Sequence, residues 1–187
     1  MNDVSPERSE ILDKHSKPGS YQQTLFGRPR CDICPLRFKI QAKKYVLPSG
    51  PVPADIAIVG EGPGHNEEQR GIGFCGKSGV LLWDHLLPRA LERLGRNPKE
   101  ITRRDVWVSN AALCRPEPVR IESGYLMPKD EVKAVSVKCC RPRLIEELRA
   151  VNPKVIIPVG TLALRSITGI EKAKITSFRG TRTVVDL

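Results

Sequence analysis

Long hydrophobic runs are missing from this 187-residue chain. No stretch approaches the roughly 20 apolar residues that a membrane-spanning helix needs, so no membrane partner is expected. A secretory leader is also missing: Met1 to Ser20 is polar and charged, without the charged-apolar-small order of a signal peptide. A reducing, cytoplasmic and nucleoid-associated setting is therefore expected, in which the six cysteines are thiols or metal ligands. Acidic residues are in deficit, 21 against 31 Lys and Arg, which gives a net charge of +10. That balance favours a polyanionic partner such as nucleic acid, and a solvated cationic face has the same composition. There is no internal repeat and no low-complexity tract, which argues against solenoids and linkers.

What is present is an alternation of apolar runs and helical patterns. Residues 1–28 read as a flexible N-terminal arm and 29–187 as one domain. Strands are predicted at 55–59, 105–109 and 154–159, with helices at about 79–94, 129–150 and 161–167. Long loops follow the first two strands, the second running through Pro128. Three strand-helix units imply a parallel sheet with right-handed crossovers and helices on both faces. With 183–187 as a further strand, the expected fold is α/β, a three-layer αβα sandwich around a central four-stranded parallel sheet.

The loop Gly60–Gly79, GEGPGHNEEQRGIGFCGKSG, follows directly on the first strand. Open α/β sheets bind ligands at that position, beyond the carboxyl ends of the strands. Its glycines permit close backbone approach, Glu61, Glu67 and Glu68 bring carboxylates, and Phe74 brings a flat stacking face. The Lys-Ser/Thr ending of a P-loop is absent, and Gly60-Glu61-Gly62 runs into Pro63, so neither nucleotide motif fits. Such a mixture suits a ring and a water better than a phosphate, although a glycine-rich βα turn with solvated acids would look the same in composition.

Cysteines form a second constellation. Cys31 and Cys34 make a CxxC pair, while Cys114 and the Cys139-Cys140 doublet lie far off in sequence. Four thiolates could converge on one site, and their spacing leaves structural zinc and an iron–sulfur cluster equally open. Cys75 and one member of the doublet are then spare.

Taken together these motifs resemble the iron–sulfur, family 4 uracil-DNA glycosylases. The resemblance rests on Gly60-Glu61-Gly62-Pro63-Gly64, Glu67-Glu68, Gly71, Phe74, Gly76, Ser78 and Gly79. It continues with Asn110, Cys114-Arg115-Pro116, Cys140-Arg141-Pro142-Arg143-Leu144 and Arg179-Gly180, and so spans about residue 31 to the end. It implies a monomeric DNA-repair hydrolase that releases uracil from DNA containing uracil and leaves an abasic site. It also implies a 4Fe-4S cluster on Cys31, Cys34, Cys114 and Cys140, with Cys139 spare.

The residue types suit that chemistry. A base must leave the helical stack to be excised, so the enzyme flips it into a pocket and reads its Watson–Crick edge. Phe74 is the expected stacker and Asn110 the uracil reader, with Gly62 completing the uracil-binding set. The Asn110 amide can donate to O4 and accept from N3–H, a pattern the amino group of cytosine frustrates. Bond cleavage leaves positive charge on the sugar and negative charge on uracil. Glu61 is expected to stabilise the sugar cation or position water, Glu67 (or Glu68) to assist, and backbone N–H groups near Glu61 to meet the uracil oxygen. The family's Pro and Val around the stacking Phe are Gly73 and Cys75 here, and its Asn-Arg after the Cys-Arg-Pro segment is Val119-Arg120. Its second catalytic motif, His-Pro-Ser, is not reached by Leu187, and His15, His65 and His85 do not replace it. The corresponding alternative is a catalytically reduced glycosylase-like domain that binds DNA within a larger replication or repair protein.

Overall fold

The computed structural model describes residues 30–42 and 44–187; the expected arm lies outside them. Its centre is a parallel sheet in the order β2–β1–β5, built from β1 (Ile56–Gly60), β2 (Trp107–Asn110) and β5 (Val155–Val159). β1 is the middle strand and is buried on both faces, with Ala57, Ile58 and Val59 at most 1% exposed, which explains its unbroken apolar run. Register sets Gly60 beside Asn110 on one side and Val159 on the other. Three strand ends therefore open at one rim.

Helices cover both faces. On one, Ala57, Val59 and Trp107 pack with Val137, Cys140, Leu144 and Leu148 of α5 (Lys129–Val151) and with Ala163 and Ile167 of α6 (Thr161–Thr168). On the other, Ile58, Val106 and Val108 pack with Phe74, Leu82 and Trp83. Trp83 belongs to a helical rod made of α3 (Lys77–Val80), a π-helical stretch (Leu81–Leu86) and α4 (Leu87–Arg93). The wide turns precede Pro88, which has no N–H to donate to the preceding turn. α5 ends where Asn152 takes the left-handed conformation and returns its N–H to Leu148 O, with Pro153 blocking continuation.

Both long loops hold structure that their composition did not announce. The first contains α2 (His65–Arg70) and the second a two-residue antiparallel ribbon, β3 (Val119–Arg120) against β4 (Leu126–Met127). Ahead of β1, α1 (Arg37–Gln41) follows the CxxC pair.

The expected four-stranded sheet needs correction: among the described residues it has three strands. Residues 181–187 carry no regular structure. Val185 and Leu187 pack against the main core cluster, while Val184 is 92% exposed, so this segment docks by side chains without pairing its backbone. β5 is thus an edge, where Pro158 and its missing N–H are tolerated.

Candidate active site

Phe74 and Asn110 meet over Gly60. A Cβ added at Gly60 would come within 3.0 and 3.1 Å of Phe74 Cζ and Cε2 and would collide with Asn110 Oδ1. The missing side chain is what allows an aromatic edge and an amide to share this corner of the rim. Asn110 Nδ2 points towards Gly73, 3.7 Å from where its Cβ would be. Both residues are nearly buried, Asn110 at 5% and Phe74 at 6% exposure.

Phe74 is held in an unusual backbone state. Its φ of 53° lies in the left-handed region, which costs a non-glycine residue energy and persists only where neighbours enforce it. Trp83 Nε1 donates to Phe74 O at 3.1 Å, and Gly79 lets that carbonyl approach so closely that any Cβ would overlap it. Helix and loop together aim the ring at Asn110.

Glu61 turns the other way. Its carboxylate pairs with Lys133 of α5 and accepts the backbone N–H of Leu162, at the start of α6, at 3.0 Å. Gly160 makes room, because a Cβ there would lie 2.5 Å from Glu61 Cδ. Glu61 and Asn110 thus flank the end of β1, the first towards β5 and α6, the second towards Phe74.

The remaining sequence candidates are placed elsewhere. Gly62 backs onto the cysteine-bearing loop, 3.7 Å from Ala112 O and Pro116 Cδ as measured from its hypothetical Cβ. Glu67 caps α2 by accepting the N–H of Gly64. Glu68 enters an ion-pair network that sequence reading missed. Lys39, 2% exposed on its side chain, pairs with Glu68 at 2.6 Å and Glu117 at 3.1 Å, and Arg115 pairs with the same two carboxylates at 2.7 and 3.0 Å. Burial opposes ionisation of Glu68, yet the donors Lys39 and Arg115 outweigh it and hold its carboxyl below the ordinary value. The network ties α1, α2 and the Cys114 loop together. Lys39 and Glu117 had no local signature, since their partners are set by folding.

Cys31, Cys34, Cys114 and Cys140 line one cavity, and Cys139 lines it too. Cys139 is therefore not remote. Burial, then the neighbouring thiols Cys140 and Cys34, pushes Cys31 up to about 11. Burial followed by the same two neighbours raises Cys114, and burial likewise raises Cys140. Thiols in each other's field and short of solvent bind protons tightly until a metal centre supplies compensating positive charge. The donor set fits such a centre. Among the described residues, no three His, Cys, Asp or Glu side chains gather closely enough to hold a single ion.

A family model, the uracil DNA glycosylase superfamily, matches residues 47–185. The chain belongs to this superfamily. It is 31% identical over 151 residues to a type-4 uracil-DNA glycosylase of Thermotoga maritima, covering 81% of this chain and 67% of that protein. A type-4 uracil-DNA glycosylase of Pyrobaculum aerophilum is 32% identical over 154 residues, 80% of this chain and 67% of the relative. A type-5 uracil-DNA glycosylase of the same organism is 29% identical over 163 residues. Both the Phe74–Asn110 corner and the inter-motif segments of this superfamily member fall inside the matched span, while Cys31 and Cys34 lie ahead of it.

Proposed function

We propose that this superfamily member is a uracil-DNA glycosylase that hydrolyses the N-glycosidic bond of deoxyuridine in DNA. The observation that carries the reading is the meeting of Phe74 and Asn110 over Gly60 at the rim where three parallel strands end. A flipped uracil stacks against Phe74. Asn110 Nδ2–H donates to uracil O4 and Oδ1 accepts from N3–H; cytosine presents a donor and an acceptor in the reverse order.

Glu61 is the carboxylate for the sugar side, where positive charge grows as the bond breaks, or for the attacking water. Lys133 and the Leu162 N–H fix its orientation beforehand, which spares reorganisation in the transition state. Glu67 acts through the loop, by capping α2. Gly62 lets the pocket loop lie against the Cys114 segment. The net charge of +10 draws the DNA backbone towards the protein.

Cys31, Cys34, Cys114 and Cys140 would hold a 4Fe-4S cluster, and through it the loop before α1, the loop after β2 and α5 would be tied together. A single zinc draws four thiolates to about 3.8 Å from one another, given Zn–S bonds near 2.3 Å, whereas a four-iron cluster takes one thiolate at each of four separated irons. Burial beside one another in a single cavity supports these thiols as ligands of one centre. On this reading the protein works as a cytoplasmic monomer on nucleoid DNA. Separately, no helix among the described residues is long and apolar enough to cross a membrane.

The test is release of uracil from a single-uracil oligonucleotide by anaerobically purified protein, beside a Glu61→Ala, Asn110→Ala double variant. Release by the wild type alone supports the reading. Equal release by both removes these residues from the chemistry. No release with DNA binding retained points to an accessory glycosylase-like domain.

A further inference from the structure

The residue that ends β2 is gripped from beneath the sheet by a buried arginine. Arg143, 2% exposed, lies one turn beyond Cys140 on α5 and donates from Nη2 to Asn110 O at 2.7 Å and to Ala111 O at 3.4 Å. Its Nη1 reaches Ser109 Oγ at 3.2 Å and forms an ion pair with Glu147, which is fully buried. Glu147 in turn accepts Trp107 Nε1–H at 2.7 Å. Each residue of β2 from Trp107 to Asn110, except Val108, thus has a bond to this pair.

The placement is specific to the pocket. Asn110 sends its side chain to the Phe74 face, while its carbonyl and that of Ala111 are taken from the α5 face. The N–H groups of Ala111 and Ala112 extend the ladder to Gly60 O at 2.7 Å and Glu61 O at 3.0 Å. Segment 110–112 is consequently held on two sides, by β1 through its N–H groups and by Arg143 through its carbonyls. Strand ends normally leave such carbonyls to water, and a fork of guanidinium donors satisfies two of them in one fixed geometry. The i,i+4 spacing on α5 lets Glu147 lock the fork in place.

We propose that Arg143, locked by Glu147, is a positioning residue that fixes segment 110–112 and so sets the angle at which the Asn110 amide meets the base. This rests on Asn110 being the uracil reader. The charge pair does not touch the base, and its effect is transmitted through the backbone of β2.

The test uses the full chain with its metal centre. Arg143→Leu combined with Glu147→Leu removes both charges, so no buried ion is left unpaired; Trp107 Nε1 and Asn110 O lose these partners in it, and far-ultraviolet circular dichroism with iron content checks that the fold is kept. Amide exchange at Ala111 and Ala112 reads the clamp without turnover, with Ala57 to Val59 of β1 as the internal standard. In the double variant exchange at Ala111 and Ala112 is expected to quicken by about tenfold or more over that standard. Uracil release should fall by about a hundredfold in kcat/KM, free uracil should bind more weakly, and affinity for uracil-free DNA should not change. Arg143→Lys, which keeps the charge but loses the fork, should fall between. Wild-type exchange at Ala111 and Ala112 together with wild-type binding of free uracil would overturn the proposal. A wild-type chain that releases no uracil defeats the glycosylase reading instead, and with it the part assigned to Asn110; exchange at Ala111 and Ala112 then decides only whether Arg143 holds segment 110–112, and unchanged exchange refutes that as well.

Discussion

Replacing Lys39 by methionine tests whether the buried ion-pair network holds the loops of the site in place. The Lys39 side chain is 2% exposed and bridges Glu68, 10% exposed, and Glu117, 32% exposed. Removing one partner of a buried pair costs about 3–5 kcal/mol when the other is stranded. Here Arg115 remains 2.7 Å from Glu68 and 3.0 Å from Glu117, and methionine refills the space of the lysine stem, so the cost falls at the lower end, about 3 kcal/mol. In a domain of this size each kcal/mol moves Tm by about 2–4 °C, which gives a drop of roughly 6–12 °C. Lys138→Met is the control: its pair with Glu171 spans 3.4 Å between side chains 76% and 82% exposed, and such pairs contribute at most about 1 kcal/mol. Thermal and urea unfolding at neutral pH, followed by circular dichroism, measure both. If Lys39→Met lies within about 1 kcal/mol of wild type, or no further from it than Lys138→Met, burial of the network does not carry the energy assigned to it.

Three further outcomes are expected. Gly60→Ala should push Phe74 and Asn110 apart, since its Cβ would lie 3.0 Å from Phe74 Cζ; uracil release should drop at least about tenfold, and an unchanged rate would separate this corner from the chemistry. Because the Glu68 carboxyl is held below its ordinary value of 4.5, the unfolded chain takes up its proton first on acidification. The contribution of Glu68 is then whole above that pH and is lost below it, so calorimetric Tm between about pH 5 and 3 should fall more steeply for wild type than for Glu68→Gln; parallel profiles would contradict this. Cys114→Ser should lose iron and the cluster's visible absorbance. Cys139→Ser should keep both, as measured by iron and sulfide content; their loss would refute the assignment of Cys140 rather than Cys139 as the fourth ligand.

Much of the site was legible because its signals are local. The apolar run 56–59 can be buried on both faces only in the middle of a parallel sheet, and the glycine loop that follows must then lie at the ligand-binding rim. Phe74 and the cysteines stand out by side-chain chemistry that is uncommon in a plain turn, whereas Asn110, a residue type common in turns, was singled out by its match to the family's motif. Glu67 and Glu68 were expected to assist from their place in the glycine loop; one caps a helix and the other sits in an ion-pair network, contacts that the composition of the loop did not announce. The i,i+4 relation of Arg143 and Glu147 was visible in principle as a helical pair, but nothing in it revealed which face of α5 would be buried.

The sequence by itself determined the order of the three central strands and the helices between them, and the rim loop, because periodicity and glycine punctuation act over short stretches of chain. Tertiary structure decided what no short stretch encodes. The side chains at 185 and 187 dock on the core without forming a fourth strand, Cys139 turns into the same cavity as the other four thiols, and Glu61 finds Lys133, 72 residues away. Such partners depend on which surfaces meet when the layers pack, and on whether a charge removed from water finds its complement there.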